Sequence, residues 1–349
     1  MLNVAKSFLA ERYDFIAYTT SRPARREAAK THGYSTMLSG GILRLIAAAF
    51  ITFWHIAKFP FSLIFSNPVI VQVQASDFQA FWEAIIYVFL GRLFHRPVAL
   101  RLGGAFDHFY QESGPRAEKL IRRALLWPDI LIVQSEYWRI FVAGIGRSDR
   151  VLVLPNAVPD AMVSASDELN NPTPICLFSA GTEADRKGIS EVLAAMRALK
   201  ERGIKVKFRL FAMLPHAQEL VLRYGLSEMA EIEGYVDHDR MLAAMRTSDI
   251  FLLPSRGEGF PNALLEAMAA GLASIVTPVG AVPEIVGNDG ALIVPARDAL
   301  MLADAIKQLV ENPSERAMIG HRAREIVVNR YTQRNVLPIL HEAWQSMLT

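Results

Sequence analysis

Two parallel α/β domains, each a doubly wound Rossmann-like sheet, are the fold class this sequence predicts, and three observations predict it. Short runs rich in Val, Ile, Leu and Phe alternate with helical patterns along the whole chain, as βαβ units do. Those runs lack strict polar–apolar alternation, as expected of parallel strands buried on both faces. The chain has 349 residues, more than one ordinary core accommodates and suitable for two.

Taken in order, the expected strands are Asp14–Thr20, Pro68–Gln74, Pro97–Leu102, Asp129–Gln134 and Val151–Leu154, then Pro174–Ser179, Lys205–Phe211, Ile232–Val236, Asp249–Leu253, Ala273–Thr277 and Ala291–Val294. Apolar spacings of three and four between them predict helices such as Ile189–Glu201 and Asn262–Ala270. Pro155–Pro174 interrupts the pattern with four prolines and three asparagines and reads as a linker. Residues 1–155 therefore form one domain and 156–330 a second, with a cleft expected between the carboxyl ends of the two sheets. Val4, Phe8 and Leu9 have helical spacing, so the first domain is expected to open on a helix where a doubly wound half opens on a strand and Gly-rich turn; either the true start lies upstream of Met1 or the domain is a shortened one.

Apolar residues make up 52% of the chain and charged residues 21%, which excludes a disordered chain. The net charge of +2 gives no reason to expect a nucleic-acid partner. Cys176 is the one cysteine, so no intramolecular disulfide is possible; its apolar run predicts a buried thiol in a reducing, cytoplasmic setting. Asn3, Lys6, Glu11, Arg12 and Asp14 break any signal-peptide pattern. Residues 42–65 are apolar but interrupted by Arg44, His55, Lys58 and Pro60. The clean run Leu45–Trp54 is half the length needed to span a bilayer. The segment is expected to be a buried α/β helix, with a helix lying on the membrane surface as the alternative. That alternative rests on 15 of the 33 aromatic residues falling between Phe50 and Tyr110.

The chemistry concentrates in Asp249–Gly271, DIFLLPSRGEGFPNALLEAMAAG. It reads as strand, tight loop, helix and glycine stop. Gly257 and Gly259 let backbone approach a ligand, Asn262 is the expected N-cap, and Gly271 fits the C′ position. The helix start favours an anion such as a diphosphate. Glu258 falls in the loop and Glu266 about one turn into the helix, where a carboxylate can hold two vicinal ribose hydroxyls. A second segment, Phe178–Gly188 (FSAGTEADRKG), places Arg186 and Lys187 at a helix start, suited to neutralising a leaving diphosphate.

A bare pair of glutamates eight apart carries almost no weight. Pro254–Ser255, the glycines and the Ala-rich helix in register give it weight, for together they resemble the glycosyltransferase family 4 (group 1) signature PS-x-x-E-G-F-x-N-x-x-x-E-A-M-A-x-G. The resemblance implies the GT-B fold and a retaining, nucleotide-sugar-dependent hexosyltransferase of polysaccharide biosynthesis. It implies that Glu266 holds the ribose, that Glu258 contacts the donor sugar, and that Gly259, Phe260 and Asn262 line sugar and phosphate through backbone amides. Gly181–Thr182 stands where relatives show Gly-Arg, leaving Arg186 and Lys187 to carry the phosphates. Gly234–Tyr235–Val236 matches a base-contacting strand end. Pro278–Val286 resembles a G-G-x-x-E-I loop with Ala281 in place of one glycine. Residues 331–349 match a last helix that crosses back to the first domain. The first domain resembles the family only in outline. Pro97–Phe106 aligns with an L-H-G-x-D loop in which Gly103 replaces the histidine, so Asp107, His108 and Ser76 are the acceptor-side candidates.

The expected partners are a nucleotide-diphosphate sugar and a glycan or lipid-linked acceptor, with peripheral contact at the inner face of the membrane. No cofactor is expected, and no divalent metal, because cationic side chains can screen the departing diphosphate. Two alternatives stay open: another GT-B enzyme, such as an epimerase or phosphorylase, and a non-catalytic nucleotide-sugar-binding or scaffold protein. A dinucleotide dehydrogenase is excluded, since no strand is followed by G-x-G-x-x-G.

Overall fold

A computed structural model describes residues 9, 11–18, 20, 41–76, 78–104, 106–163, 171, 173–181, 184–212, 217–234 and 236–349. The chain divides into two compact units, one of 1–156 with 336–349 and one of 157–335.

The first unit contains α1 (Gly41–Ser66), β1 (Val71–Ala75), α2 (Phe78–Leu93), β2 (Val98–Leu102), α3 (Phe106–Glu112), α4 (Pro115–Ala124), β3 (Ile130–Val133), α5 (Glu136–Gly144) and β4 (Val151–Val153). Its sheet is parallel in the order β1-β2-β3-β4. Because each crossover steps the same way and right-handed crossovers are the rule, α2, α3–α4 and α5 fall on one face. Val98, Leu100, Leu102, Leu131 and Val133 meet Phe81, Val88, Phe106, Ile121 and Trp138 there in one core. On the other face the indole of Trp344 donates to Gln72 Oε1 (2.9 Å). Asn156 Oδ1, at the end of the unit's first segment, accepts from Arg101 Nη2 (2.8 Å) and Gln134 Nε2 (3.0 Å).

The second unit begins with a 3₁₀ turn (Asp160–Val163) and runs through β5 (Ile175–Gly181), α6 (Ile189–Glu201), β6 (Lys207–Ala212), α7 (Ala217–Arg223), β7 (Ala230–Glu233), α8 (His238–Arg246) and β8 (Ile250–Leu253). It continues with α9 (Asn262–Ala269), β9 (Ala273–Val276), α10 (Val282–Val286), β10 (Leu292–Ile293), α11 (Ala299–Glu311) and α12 (Pro313–Arg330); α13 (Gln333–Ser346) carries the chain back to the first unit. The strand order is β10-β9-β8-β5-β6-β7, all parallel. The chain moves outward from β5 to β7 and then restarts at β8 on the other side of β5. The crevice outside the carboxyl ends of β5 and β8 is thus the topological switch point, where open α/β sheets bind ligands.

Ten of the eleven expected strands are present, their ends shifted by up to three residues, as the strand expected at 232–236 is at Ala230–Glu233. Asp14–Thr20 is a correction. Residues 13–18 form no strand; Tyr13 and Phe15 instead pack edge-on or tilted against Trp344 at 5.2 and 6.0 Å between ring centroids, so aromatic packing holds the segment rather than a ladder. The expected opening helix lies almost wholly outside the described residues. Of the two sheets, only the second reverses direction among the described residues, because the first unit's strands all follow in sequence order. The apolar segment 42–65 is helical as expected but not buried: only 11% of Ala49–Ser66 is covered, since Phe59 and Leu63 face inward while a second apolar stripe faces out.

Candidate active site

β5 and β8 lie side by side, with Cys176 paired to Ile250 and Phe178 to Leu252. Two segments therefore follow the carboxyl ends of neighbouring strands: 184–188 after β5 and 254–261 after β8. Asp249 fixes the base of this pair, accepting from the Ile175 amide (2.8 Å) and Asn171 Nδ2 (2.8 Å). Cys176 lies fully buried beneath, its thiol pushed up by burial. The Arg256 amide donates to Arg186 O (2.8 Å), and the Arg186 guanidinium bonds Gly257 O. Gly188 lies at φ +83°, and a Cβ there would be 2.3 Å from Pro254 O. Only glycine lets the loops approach so closely.

Between the loops lies Glu258, 5% exposed. Lys187 Nζ and Ser255 Oγ each donate to its Oε1 at 2.6 Å, and Arg186 Nη1 stands 3.7 Å from Oε2. Thr277 Oγ1 donates to Ser255 O (2.5 Å), tying the cluster to the end of β9. Two cations thus face one carboxylate, so the cluster carries a surplus of positive charge. Gly280, at φ +55°, completes the support: a Cβ there would be 1.8 Å from Glu258 O.

Glu258, Lys187 and Arg186 are therefore brought together, from positions more than seventy residues apart in sequence. Gly259 and Phe260 are buried in the same loop, with Phe260 edge-on to Tyr331 at 5.8 Å. Gly181 ends β5. A Cβ at Gly257 would meet nothing within 4 Å, so that glycine faces open space. Asn262 is not the N-cap: it is the first residue of α9, and Pro261 holds the cap position with φ −73° and ψ 109°. The extended Pro261 backbone sets the turn into the helix instead of a side-chain cap. Gly271 follows α9 at φ +80°. Glu266, one turn in, accepts from His238 Nε2 through Oε1 at 2.9 Å. Val236 lies two residues before α8, beyond the end of β7.

Sequence reasoning missed several members. His238 gave no motif signal. Ser255 stood in the signature but was not assigned the Glu258 bond. Arg256 Nη2 binds Glu191 Oε1 (2.8 Å) and Ser190 Oγ (3.0 Å), clamping the second loop to α6. Burial pushes the Glu191 carboxyl up, but the hydrogen bonds from Arg256 and Ser190 outweigh it and hold it below the usual range. Asp237-His238-Asp239 is an Asp-x-Asp triplet, but Asp237 Oδ1 caps α8 by accepting from the Arg240 amide (2.8 Å) and His238 engages Glu266. No cluster of three metal-ligating side chains occurs among the described residues.

The acceptor-side candidates all lie in the first unit. Ser76 directly follows β1. Asp107, in the first turn of α3, accepts from the Tyr137 hydroxyl (2.8 Å), and burial with this bond pushes Tyr137 up to about 12. His108 pairs with Glu112 at 3.3 Å on the exposed side of α3. A cavity of about 970 Å³ in this unit opens at the other end of its sheet, beside Pro97, Ile130 and Val151, where the strands begin.

Residues 173–312 match the family model described as glycosyl transferases group 1. WcaL of Escherichia coli K12, named as a colanic acid biosynthesis glycosyltransferase, is 29% identical over 232 residues, 63% of this chain and 56% of the relative. The phosphatidyl-myo-inositol mannosyltransferase of Mycobacterium leprae is 32% identical over 50% of this chain and 47% of the relative. The chain thus spans about half the length of these curated relatives. Among solved structures, a glycosyltransferase from Rickettsia africae superposes with a TM-score of 0.76 at 15% identity, covering 100% of this chain and 94% of that one. Anabaena HepE in complex with UDP gives 0.70 at 15% identity, covering 84% and 82%. The two parallel sheets thus share the GT-B fold of these solved structures, and residues 173–312, which carry the β5/β8 switch point, are similar to the group 1 glycosyl transferases.

Proposed function

We propose that this protein transfers a sugar from a nucleoside-diphosphate sugar to a glycan or lipid-linked acceptor, with retention at the anomeric carbon. The observation that carries the reading is Lys187 and Arg186 converging on the buried Glu258 at the β5/β8 switch point. Cleaving a nucleoside-diphosphate sugar develops negative charge on the departing diphosphate and positive charge on the sugar ring. Fixed groups that meet both charges without reorganising lower the barrier most. In this reading Lys187 and Arg186 face the diphosphate, and Glu258 receives the sugar hydroxyls while balancing Lys187. Glu266 takes the ribose hydroxyls, displacing His238. Gly259, Phe260, Asn262, Gly181 and Val236 line the donor. Ser76, Asp107 and His108 serve the acceptor.

Retention follows from front-face attack, with the departing phosphate taking the proton of the acceptor hydroxyl. In this reading Glu258 binds the donor sugar and is not the nucleophile. The names of WcaL, a colanic acid biosynthesis glycosyltransferase, and of the phosphatidyl-myo-inositol mannosyltransferase support glycosyl transfer to a glycan or lipid-linked acceptor, and the HepE complex supports UDP as the first nucleotide to test. The enzyme then works at the cytoplasmic face of the membrane.

The test is calorimetric titration of UDP, GDP and ADP into wild type and Glu266→Ala, followed by NMR of the anomeric proton of the product. One diphosphate should bind wild type and lose at least about tenfold in affinity with the variant, the equivalent of about 1.4 kcal/mol. Binding by none, an inverted product, or a trapped glycosyl ester on Glu258 would overturn the corresponding part of the reading.

A further inference from the structure

The outward face of α1 is as apolar as its inward one. Inward, Phe59 and Leu63 are buried against Tyr18, Tyr87 and α2. Outward, Phe50, Phe53, Trp54, Phe61, Ile64 and Phe65 follow at helical spacing, with Phe61 62% and Phe65 83% exposed. A soluble surface helix places polar residues on this side. Next to it, α2 exposes Ile86, Phe89 and Leu93, and Phe89 packs against the exposed Trp127 at 5.6 Å. Helices α1 and α2 lead into the adjacent parallel strands β1 and β2, so they run alongside each other and share the face.

Charge selects the occupant. Helix α1 contains Arg44, His55 and Lys58 and no acidic residue. From Gly41 to Arg96 the chain has four Lys or Arg and two acidic residues, Asp77 and Glu83. Lys58 stands over the Trp54 ring at 5.4 Å, so its stem lies along the apolar stripe while the ammonium stays in water. A two-fold contact between copies through this stripe would set Lys58 against its own kind, with no acidic residue in α1 to balance it. A span across the bilayer is excluded by the inward stripe, which packs along α2. An aromatic stripe edged by cations fits the headgroup boundary of an anionic membrane.

We infer that the outward face of α1, with the exposed edge of α2, is a docking surface for an anionic lipid bilayer, the helix lying in the plane of the interface. This does not depend on the transfer reading: a chain that binds no nucleoside diphosphate can still bind vesicles, and the two are measured separately.

The experiment is flotation of the full-length chain with vesicles of phosphatidylcholine containing phosphatidylglycerol, and with phosphatidylcholine alone. Wild type should float with the anionic vesicles and bind the neutral ones at least about tenfold more weakly, with the anionic binding lost in high salt. The double variant Phe61→Ser, Phe65→Ser should lose at least about tenfold in partitioning, and Lys58→Glu a similar amount on anionic vesicles alone. These side chains are exposed, so the melting temperature should hold. Leu222→Ser, an exposed leucine of the other unit, should float as wild type does. Wild type that stays with the aqueous fraction, a double variant that binds undiminished, or a wild-type dimer dispersed by the double variant would each overturn the inference, the last in favour of a second copy as occupant.

Discussion

The Glu258–Lys187 pair sets a balance that a double-mutant cycle can read. In Lys187→Met the carboxylate, 5% exposed, keeps Ser255 at 2.6 Å and Arg186 at 3.7 Å but loses its closest cation. Removing one partner of a fully buried pair costs about 3–5 kcal/mol. Here Lys187 remains 15% exposed and two other partners stay, so about 2–3 kcal/mol is expected. For a unit of this size that corresponds to a fall in melting temperature of about 5–10 °C. In Glu258→Gln the amide oxygen still accepts from Lys187 and Ser255, and the ammonium has a route to water, so the loss should be about 1–2 kcal/mol. The double variant leaves no uncompensated charge, and its loss should fall short of the sum by at least about 1 kcal/mol. Thermal unfolding of the four proteins at pH 7 without ligand gives the cycle. Additivity within about 0.5 kcal/mol would refute the pairing. Nucleoside-diphosphate affinity separates the roles: Lys187→Met should weaken it at least about tenfold, and Glu258→Gln should leave it within about threefold while abolishing turnover.

Two further outcomes follow from the loop contacts. Gly280→Ala and Gly188→Ala should each cost more than about 3 kcal/mol and abolish donor binding, because the new Cβ meets backbone oxygen at 1.8 and 2.3 Å. Gly203→Ala, at φ +68° with open space around it, should cost only about 1 kcal/mol; equal losses by differential scanning calorimetry would show that strain at positive φ, not the close approach, decides. Glu191→Gln should destabilise by about 1.5 kcal/mol at neutral pH through its bond to Arg256. Since the Glu191 carboxyl is held below its ordinary range, its contribution is complete above the unfolded value and disappears as pH falls through the folded one. Urea titrations of wild type and variant should therefore converge as the pH falls below the usual carboxylate range, and a gap that persists in strong acid would refute an ionic role.

The sequence by itself determined most of the second unit. Its strands are continuous aliphatic runs because both faces are buried, and α6 was legible to the residue from its three–four spacing. The signature from Pro254 to Gly271 also stood in one uninterrupted stretch, so strand, loop and helix could be read locally. Membership of the site was another matter. Lys187 and Glu258 lie seventy-one positions apart, and no periodicity says that the loops carrying them meet. They meet because β8 restarts beside β5 rather than beyond β7, a choice of strand order that hydrophobic patterning leaves open. The His238–Glu266 contact and the close approaches at Gly188 and Gly280 follow from that order and from nothing local. The α1 helix shows the same division. Its composition marked it as apolar, but an apolar stripe buried in a core and one facing solvent look alike in sequence, because burial depends on which neighbouring element covers the face. Only the packing of α1 against α2 through Phe59 and Leu63 decided that the opposite stripe, with Phe61 and Phe65, stands outside.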